Sequence, residues 1–262
     1  MQEVHIYSGD TYTLKGTLYR AQTTCQRILI YFHGGGLIFG QRNDLPTEYI
    51  DVITQYYHLL TVDYRLLPEA NFQNILEDLQ HIHTYVNTYD MEVYCMGRSA
   101  GGFLSLIYAS QYPTQGVIDF YGFYDVSHPD FKAIPKNHLN VTALLTDDIK
   151  TQFTQPTVST CIPPHPRYLL YLYYRHCGLW PTIIDYHIDT SALTKLPKLF
   201  IAHASDDPDV PITYSENLTK INPNATLVKI NSDAHQFDET VTHETLKIYH
   251  QACAFIKNEE AL

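Results

Sequence analysis

The chain has 262 residues, a length within the range of one α/β domain, and its 45% hydrophobic content is enough for a large core. Its formal net charge of −11 argues against a nucleic-acid partner, which needs a basic face, and against binding to anionic membranes. No apolar run approaches the ~20 residues of a membrane span, and the first residues show no signal-peptide pattern. We therefore expect a cytoplasmic protein whose partners include neither nucleic acid nor membrane.

The five cysteines are scattered and form no C-x-x-C pair, which indicates reduced thiols rather than disulfides or a zinc site. His81 and His83 also invite a metal interpretation. Residues two apart do not share a helix face, however, so we reject it. We expect neither a metal ion nor a cofactor. The cysteines are Cys25, Cys95, Cys161, Cys177 and Cys253.

Short apolar runs alternate with helical patterns along most of the chain. The predicted strands cover residues 16–20, 27–32, 58–63, 92–96, 115–121, 198–203 and 226–230. The predicted helices cover residues 47–57, 71–87, 103–110 and 241–257. In the second helix, Ile75, Leu79, Ile82 and Val86 recur at spacings of four, three and four, which is typical of an amphipathic helix. The alternation predicts a mostly parallel sheet with helices on both faces.

Residues 126–195 interrupt this alternation. The stretch contains seven prolines and no clear strand, and it is too long for an ordinary loop. Residues 141–153 and 169–176 look helical, and the aromatic and leucine content argues against a disordered linker. We therefore predict a single domain over residues 1–262, with residues 126–195 inserted as a helical cap above the carboxyl edge of the sheet.

Ser99 lies in the pentapeptide Gly97-Arg98-Ser99-Ala100-Gly101, between a predicted strand and a predicted helix. A serine at such a junction, with a glycine two residues away on each side, has the pattern of a nucleophile elbow. The sharp turn leaves no room for side chains at the flanking positions, so glycine is required there. The motif alone also occurs by chance in turns, so its meaning depends on the rest of the chain.

A glycine-rich loop, His33-Gly34-Gly35-Gly36, directly follows the predicted strand 27–32. In an acyl-transfer enzyme of this plan, such a loop supplies backbone N–H groups that bind the substrate oxyanion. The predicted donors are Gly35, Gly36 and Ala100, the residue after the serine. A flexible turn is an alternative, while the absence of G-x-x-x-x-G-K-[ST] disfavours a phosphate loop.

Two further loops follow the last two predicted strands. The first holds three candidate acids, Asp206, Asp207 and Asp209, and could also be an exposed acidic loop. The second holds His235, which lies 28 residues after Asp207. The chain order serine, aspartate, histidine is the order used by α/β-sheet hydrolases. In that chemistry His235 acts as general base towards Ser99, and the carboxylate orients the imidazole.

Together these segments resemble the α/β-hydrolase superfamily and, within it, the hormone-sensitive-lipase-like carboxylesterases. The resemblance implies an α/β-hydrolase fold and a serine esterase that forms an acyl-enzyme intermediate on Ser99. It also selects Asp207 as the acid, because Asp-Pro-x-Val-Pro resembles the acid loop of related hydrolases, and it gives His33 a supporting role in its loop. The segments that carry it are residues 33–36 (HGGG), 63–69 (DYRLLPE) and 97–102 (GRSAGG), and the loops at Asp207 and His235.

The expected substrates are small carboxylic esters, and dimers are common among similar esterases, so a homodimer is one candidate assembly. The aromatic residues of the predicted cap should form the roof of a shallow pocket for acetyl to about hexanoyl groups, with graded selectivity. A peptidase or amidase of the same fold, and a ligand-binding protein without catalysis, remain alternatives. These aromatic residues are Tyr168, Tyr171, Tyr173, Tyr174 and Trp180.

Two charged positions yield structural expectations. The related group usually has an acid directly before the serine, whereas this chain has Arg98. We expect Arg98 to point away from the site into a surface salt bridge. Arg65 and Glu69 should form a structural ion pair near the elbow.

Overall fold

The computed structural model describes residues 1–132, 141–142, 150–151, 153–154, 157–160 and 167–257. Within them, eight strands form one sheet in the spatial order β1-β2-β4-β3-β5-β6-β7-β8. The strands are β1 (Gln2–Ser8), β2 (Thr13–Tyr19), β3 (Arg27–Phe32), β4 (His58–Val62), β5 (Glu92–Arg98), β6 (Gly116–Phe120), β7 (Lys198–Ala204) and β8 (Ala225–Ile230).

The sheet is mostly parallel, as predicted. From β4 through β3, β5, β6 and β7 to β8, each strand pairs in parallel with its neighbour, whereas β2 pairs antiparallel with β1 and β4. The sequence patterns did not predict β1. It is an edge strand whose only buried residue is Val4, so it lacks the apolar run that marks the inner strands.

Helices cover both faces of the sheet, which confirms the predicted fold class. The α-helices of the described residues are α1 (Thr47–Thr54), α2 (Phe72–Val86), α3 (Ala100–Gln111), α4 (Arg167–His176), α5 (Trp180–Ile184), α6 (Thr190–Thr194), α7 (Thr213–Ile221) and α8 (His243–Lys257). Alternate residues of β3 join two separate hydrophobic clusters, because successive strand side chains point to opposite faces. One cluster includes α2 and α3, and the other includes α1 and α8.

Most predicted elements agree with the structure to within a few residues. Helix α7 was not predicted, and α1 ends at Thr54 rather than at residue 57. The predicted helix 141–153 lies largely outside the described residues. In the described part of 126–195, no strand of the main sheet occurs, and α4, α5 and α6 form there. The assignment of this segment as an inserted cap stays a prediction.

The predicted Arg65–Glu69 ion pair is wrong. Arg65 follows β4 and instead binds the buried Asp78 of α2, with 2.9 Å between Arg65 Nε and Asp78 Oδ1. Glu69 pairs with Arg167 at the start of α4, 2.6 Å from Nη1 to Oε1. The segment from Arg65 to Glu69 contains Pro68 and is not helical, so two residues four positions apart do not face the same neighbour.

Two properties of the described residues concern membranes and metal ions. None of their helices is long and apolar enough to cross a membrane. They also contain no group of three or more histidine, cysteine, aspartate or glutamate side chains arranged to hold a metal ion. Their four cysteines, Cys25, Cys95, Cys177 and Cys253, form no disulfide.

Candidate active site

The candidate site forms at the carboxyl edge of the sheet, where ligands bind in open α/β folds. Ser99 lies between the end of β5 and the start of α3, Asp207 follows β7, and His235 follows β8. Ser99 has φ 54° and ψ −119°, a backbone conformation that non-glycine residues rarely adopt. Its N–H donates to the carbonyl oxygen of Phe120 at 2.8 Å, which ties the turn to the end of β6.

The two glycines of the elbow are needed because backbone fills the space that a Cβ would take. A Cβ on Gly97 would collide with the carbonyl oxygen of Gly101, and a Cβ on Gly101 would collide with that of Phe32. The sequence pattern therefore has a direct steric cause. The tight turn raises the Ser99 hydroxyl above the sheet edge.

His235 bridges Ser99 and Asp207. Its Nε2 lies 2.9 Å from Ser99 Oγ, and its Nδ1 lies 2.7 Å from Asp207 Oδ2. A carboxylate accepts only, so Nδ1 carries the proton and Nε2 accepts from the serine hydroxyl. Of the rival acids, Asp206 is exposed and accepts from Ser205 Oγ, while Asp209 Oδ2 lies 4.0 Å from His235 Nε2. The structure thus brings together the three residues chosen from the sequence.

The Asp207 side chain is buried and multiply hydrogen-bonded. Its Oδ1 accepts the backbone N–H groups of Asp209 at 2.8 Å and Val210 at 2.9 Å, and its Oδ2 lies 3.2 Å from His203 Nε2. Burial acts to raise the pKa of Asp207, but the charge of His235 and hydrogen bonds from His203 and His235 hold that pKa well below its ordinary value. Asp207 therefore stays ionised as an acceptor for the imidazole.

His203, in β7, supports Asp207, and the sequence patterns did not reveal it. Its Nε2 faces two acceptors, Asp207 Oδ2 and the carbonyl oxygen of Val210 at 3.0 Å, so this nitrogen carries a proton. Its Nδ1 then accepts from Ser215 Oγ at 2.6 Å. The only sequence signal was a histidine inside an otherwise apolar strand, four residues before the acid.

The pKa of His235 results from opposing effects. Burial lowers it, whereas the charge of Asp207 and the hydrogen bond to it raise it, and the pKa ends above its ordinary value of 6.5. Asp209 adds to the rise and Arg175 opposes it. The imidazole is therefore a stronger base than a free one.

The glycine-rich loop lies against the elbow, where a Cβ on Gly34 would be 3.0 Å from the carbonyl oxygen of Arg98. Gly35 and Gly36 have φ of 105° and 59°, and no described residue accepts a hydrogen bond from either N–H. Ala100 begins α3, where the first N–H groups have no partner within the helix. The role of these three N–H groups in binding a substrate oxygen stays a prediction.

His33 supports the same loop. Its Nδ1 lies 2.7 Å from the carbonyl oxygen of Gly34, its ring stacks on Tyr64, and the Tyr64 hydroxyl donates to the carbonyl oxygen of His33 at 2.9 Å. From the other side, Trp180 Nε1 donates to the carbonyl oxygen of Gly36 at 2.8 Å. These contacts fix the loop at both of its ends.

A cavity of about 390 Å³ opens above Ser99. Asp209 and Tyr171 line it and form a buried cluster with Arg175: the Tyr171 hydroxyl donates to Asp209 Oδ2 at 2.8 Å, and Arg175 Nη1 pairs with Asp209 Oδ1. A larger depression of about 580 Å³ contains none of these residues. The lining residues are Gly35, Gly36, Phe39, Ser99, Tyr168, Tyr171, Asp209, Ala234, His235, Gln236 and Glu239.

Arg98 points away from the cavity, but the predicted surface salt bridge is wrong, because its guanidinium is buried. Nε donates to the Tyr31 hydroxyl at 2.8 Å, Nη2 pairs with Asp44 at 2.8 Å, and Nη1 lies 3.4 Å from Asp238 Oδ2. The acids lie 54 and 140 residues away in the chain, so sequence spacing gave no sign of them. The fold gives this arginine two partners of opposite charge, the buried Asp238 and the partly exposed Asp44.

Asp238, three residues after His235, anchors the loop that carries the imidazole. Its carboxylate accepts the hydroxyls of Tyr121 and Tyr249, each at 2.6 Å, and its carbonyl oxygen accepts the Tyr49 hydroxyl at 3.1 Å. The Tyr121 ring also packs edge-on against His235 at 4.9 Å. A network of buried hydrogen-bonded groups therefore holds the histidine loop.

Comparisons with known proteins agree with this fold. Residues 29–239 match the family described as alpha/beta hydrolase fold. A probable carboxylesterase M8 from a Phoma species is 25% identical over an alignment that covers 85% of this chain and 84% of that protein.

Two solved structures are also similar. A protein of unknown function from Staphylococcus aureus has a TM-score of 0.92 and 31% identity, and the match covers 98% of this chain and 99% of that one. An α/β hydrolase superfamily protein from Enterococcus faecalis has a TM-score of 0.83 and 25% identity, with 94% and 96% covered. The chain belongs to the α/β-hydrolase superfamily, in the group of hormone-sensitive-lipase-like esterases.

Proposed function

We propose that the protein is a serine carboxylesterase that hydrolyses short-chain carboxylic esters through an acyl-enzyme on Ser99. The observation that supports this most is the pair of hydrogen bonds by which His235 joins Ser99 Oγ and Asp207 Oδ2, at 2.9 and 2.7 Å. Nucleophile, base and orienting acid within hydrogen-bond reach are what acyl transfer requires. The similarity to a probable carboxylesterase favours esters as substrates.

In the first half of the reaction, Ser99 Oγ attacks the ester carbonyl carbon and passes its proton to His235 Nε2. The imidazolium that forms is stabilised by Asp207 through the Nδ1–H hydrogen bond. The carbonyl oxygen becomes an oxyanion, and the N–H groups of Gly35, Gly36 and Ala100 stabilise it, each with roughly 3–4 kcal/mol at stake.

The second half releases the products. His235 Nε2 donates its proton to the departing alkoxy oxygen, and the alcohol leaves the acyl-enzyme. A water then loses a proton to the same nitrogen and attacks the acyl carbon. The bond from this carbon to Ser99 Oγ breaks, His235 Nε2 returns the proton to Oγ, and the carboxylic acid leaves. The raised pKa of His235 suits a group that accepts and returns a proton in each half.

The size of the cavity supports small substrates. Its volume of about 390 Å³ is near the lower end of small-molecule sites, which run from roughly 300 to 1,000 Å³. Tyr171 and Gly36 both line it, and the Tyr171 ring packs so close to Gly36 that a Cβ there would collide with it. We expect acyl chains from acetyl to about hexanoyl to be accepted, with a graded preference.

The experiment compares p-nitrophenyl esters from acetate to palmitate with a matched aryl amide, for the wild-type protein and for Ser99→Ala. We expect hydrolysis of the short esters and little amide cleavage, and we expect the variant to turn over roughly a thousandfold more slowly, or worse. Labelling of Ser99 by a fluorophosphonate probe would exclude a purely ligand-binding role. Preferential amide cleavage, a maximum at dodecanoate or longer, or turnover by the alanine variant would contradict the proposal.

A further inference from the structure

We infer that Tyr121 is a positioning residue of the proposed esterase, which aligns the imidazole of His235 from a strained turn at the end of β6. The inference rests on the proposed function, because it concerns the base of the same reaction. Tyr121 directly follows Phe120, the last residue of β6, and is 1% exposed. It does not belong to the described lining of the cavity above Ser99, so its effect on the reaction passes through the residues it contacts.

The backbone of Tyr121 has a strained conformation. Its φ is 45°, a positive value that is uncommon for non-glycine residues and an outlier for a bulky one. Such a conformation costs free energy and persists only where the surrounding structure imposes it. Two hydrogen bonds hold the peptide group that precedes this residue. The carbonyl oxygen of Phe120 accepts the Ser99 N–H at 2.8 Å, and the Tyr121 N–H donates to the carbonyl oxygen of Ala202 at 2.9 Å.

Tyr121 contacts all three segments that carry the candidate catalytic residues. The peptide group before it binds the nucleophile elbow through its oxygen and binds β7, the strand that leads to Asp207, through its nitrogen. The side chain reaches the third segment, because its hydroxyl donates to Asp238 Oδ1 at 2.6 Å and its ring packs edge-on against His235, with 4.9 Å between centroids. The segments of the nucleophile, the acid and the base therefore meet at this residue.

The positive φ determines on which face of the sheet the Tyr121 side chain lies. Successive side chains of a strand point to opposite faces, so Ile118 and Phe120 belong to the cluster that includes α1 and α8, and Val117 belongs to the other cluster. By this alternation Tyr121 would face α2 and α3. It lies instead in the same cluster as Phe120. An extended backbone at this residue would therefore turn the ring away from His235.

The ring contact matters because the imidazole has to meet two partners at once. His235 Nε2 lies 2.9 Å from Ser99 Oγ, and its Nδ1 lies 2.7 Å from Asp207 Oδ2. Rotation of the imidazole about its Cβ–Cγ bond would lengthen both contacts, and the Tyr121 ring restricts this rotation from one side. Burial raises the pKa of Tyr121 well above its ordinary value, so the hydroxyl stays protonated and remains a donor to Asp238.

The test measures kcat and KM for p-nitrophenyl acetate in the wild type, Tyr121→Leu and Tyr121→Phe, with circular dichroism and thermal unfolding to show that each protein is folded. Displacement of a reacting group by about 1 Å lowers turnover by up to about a hundredfold. We therefore expect Tyr121→Leu to lower kcat by about tenfold to a hundredfold. KM should stay within about twofold, because Tyr121 is not part of the described cavity lining. Tyr121→Phe keeps the ring and should retain kcat within about fivefold of the wild type.

Tyr249→Leu is the matched control. Tyr249 is also a buried tyrosine whose hydroxyl donates to Asp238, at 2.6 Å, but its described ring contacts are with Tyr49 and Phe120. The control removes the same groups from the same network and should lower the free energy of unfolding in a similar way, while its kcat falls several times less than that of Tyr121→Leu. If the leucine variant of Tyr121 does not fold, Tyr121→Asn repeats the test, because asparagine tolerates a positive φ.

The two proposals fail differently. A folded Tyr121→Leu protein that keeps more than a tenth of the wild-type kcat, or an equal loss of kcat in Tyr249→Leu, overturns this inference and leaves the esterase intact. A Tyr121→Phe protein as slow as Tyr121→Leu also overturns it, because the ring would then not align the imidazole. Absence of Ser99-dependent hydrolysis of p-nitrophenyl acetate by the wild type overturns the esterase and this inference with it.

Discussion

Replacing Asp207 by asparagine tests the most demanding part of the proposed mechanism. The amide has the same shape, and its oxygen can still accept the backbone N–H groups of Asp209 and Val210. In the wild-type protein these nitrogens lie 2.8 and 2.9 Å from Asp207 Oδ1. Its NH₂ group then faces the imidazoles of His203 and His235. Because an NH₂ group donates, it favours the His235 tautomer with the proton on Nε2, and that nitrogen no longer accepts from Ser99.

The expected loss is large. The same substitution in a serine protease slows turnover by a factor of about 10⁴, which corresponds to about 5.4 kcal/mol of transition-state stabilisation at 1.36 kcal/mol per tenfold. We expect a fall of this order here, because the hydrogen bond from Nδ1 to Asp207 Oδ2 is short and the side chain is fully buried. The fold should persist, since both backbone hydrogen bonds are retained.

The assay is hydrolysis of p-nitrophenyl acetate by Asp207→Asn, with thermal unfolding followed in parallel to show that the protein is folded. Asp206→Asn is the matched control, because its exposed side chain contacts Ser205 rather than His235. We expect the control to stay within about threefold of the wild type. A folded Asp207→Asn protein that keeps more than a tenth of the wild-type turnover would refute Asp207 as the acid that orients His235. A similarly large loss of turnover in Asp206→Asn would assign that role to Asp206 instead.

Three further predictions concern pH and buried charges. The rise of kcat/KM with pH should have its midpoint above 6.5, because the pKa of His235 is raised, and a midpoint clearly below 6.5 in a pH–rate profile would contradict this. Arg98→Met should lower the free energy of unfolding by about 3–5 kcal/mol in urea titrations, since Asp44 and Asp238 lose a buried partner, whereas Arg98→Lys should lose less. Burial raises the pKa of Asp119 from 3.8 to about 7, so the folded protein binds a proton that the unfolded chain has lost, and this carboxyl makes stability fall as pH rises from 4 to 7. Asp119→Asn should therefore raise the free energy of unfolding at pH 8 but not at pH 4 in the same urea titrations. An equal change at both pH values would contradict the raised pKa of Asp119.

The parallel core of the fold could be predicted because its strands are buried on both faces. Strand β3 was predicted with its observed bounds, and β7 to within one residue, since RILIYF and KLFIAH are nearly continuous apolar runs. Edge strand β1 has one buried residue and no such run, so only its pairing with β2 in the folded chain identifies it.

The residues of the candidate site could be located because each follows a strand of this sheet. It was harder to predict which acid of the loop after β7 contacts the histidine. Asp207 and Asp209 are two residues apart, and both approach His235, Asp207 at Nδ1 and Asp209 near Nε2. Sequence patterns also do not reveal charge pairs between distant segments. The partners of Arg98 and Arg175 depend on how β5 and α4 pack against the loops, which spacing alone does not encode.

The anchoring of Asp238 gives the C-terminal helix a part in the alignment of the histidine. Tyr249 lies in the middle of α8, contributes nothing to the cavity wall, and stacks on Tyr49 with ring centroids 3.9 Å apart. Both hydroxyls bind Asp238, so the loop of His235 is fastened from the opposite face of the sheet. Partial detachment of α8 would therefore disconnect the base from the nucleophile while most of the sheet remained intact, and heat inactivation would precede the loss of secondary structure.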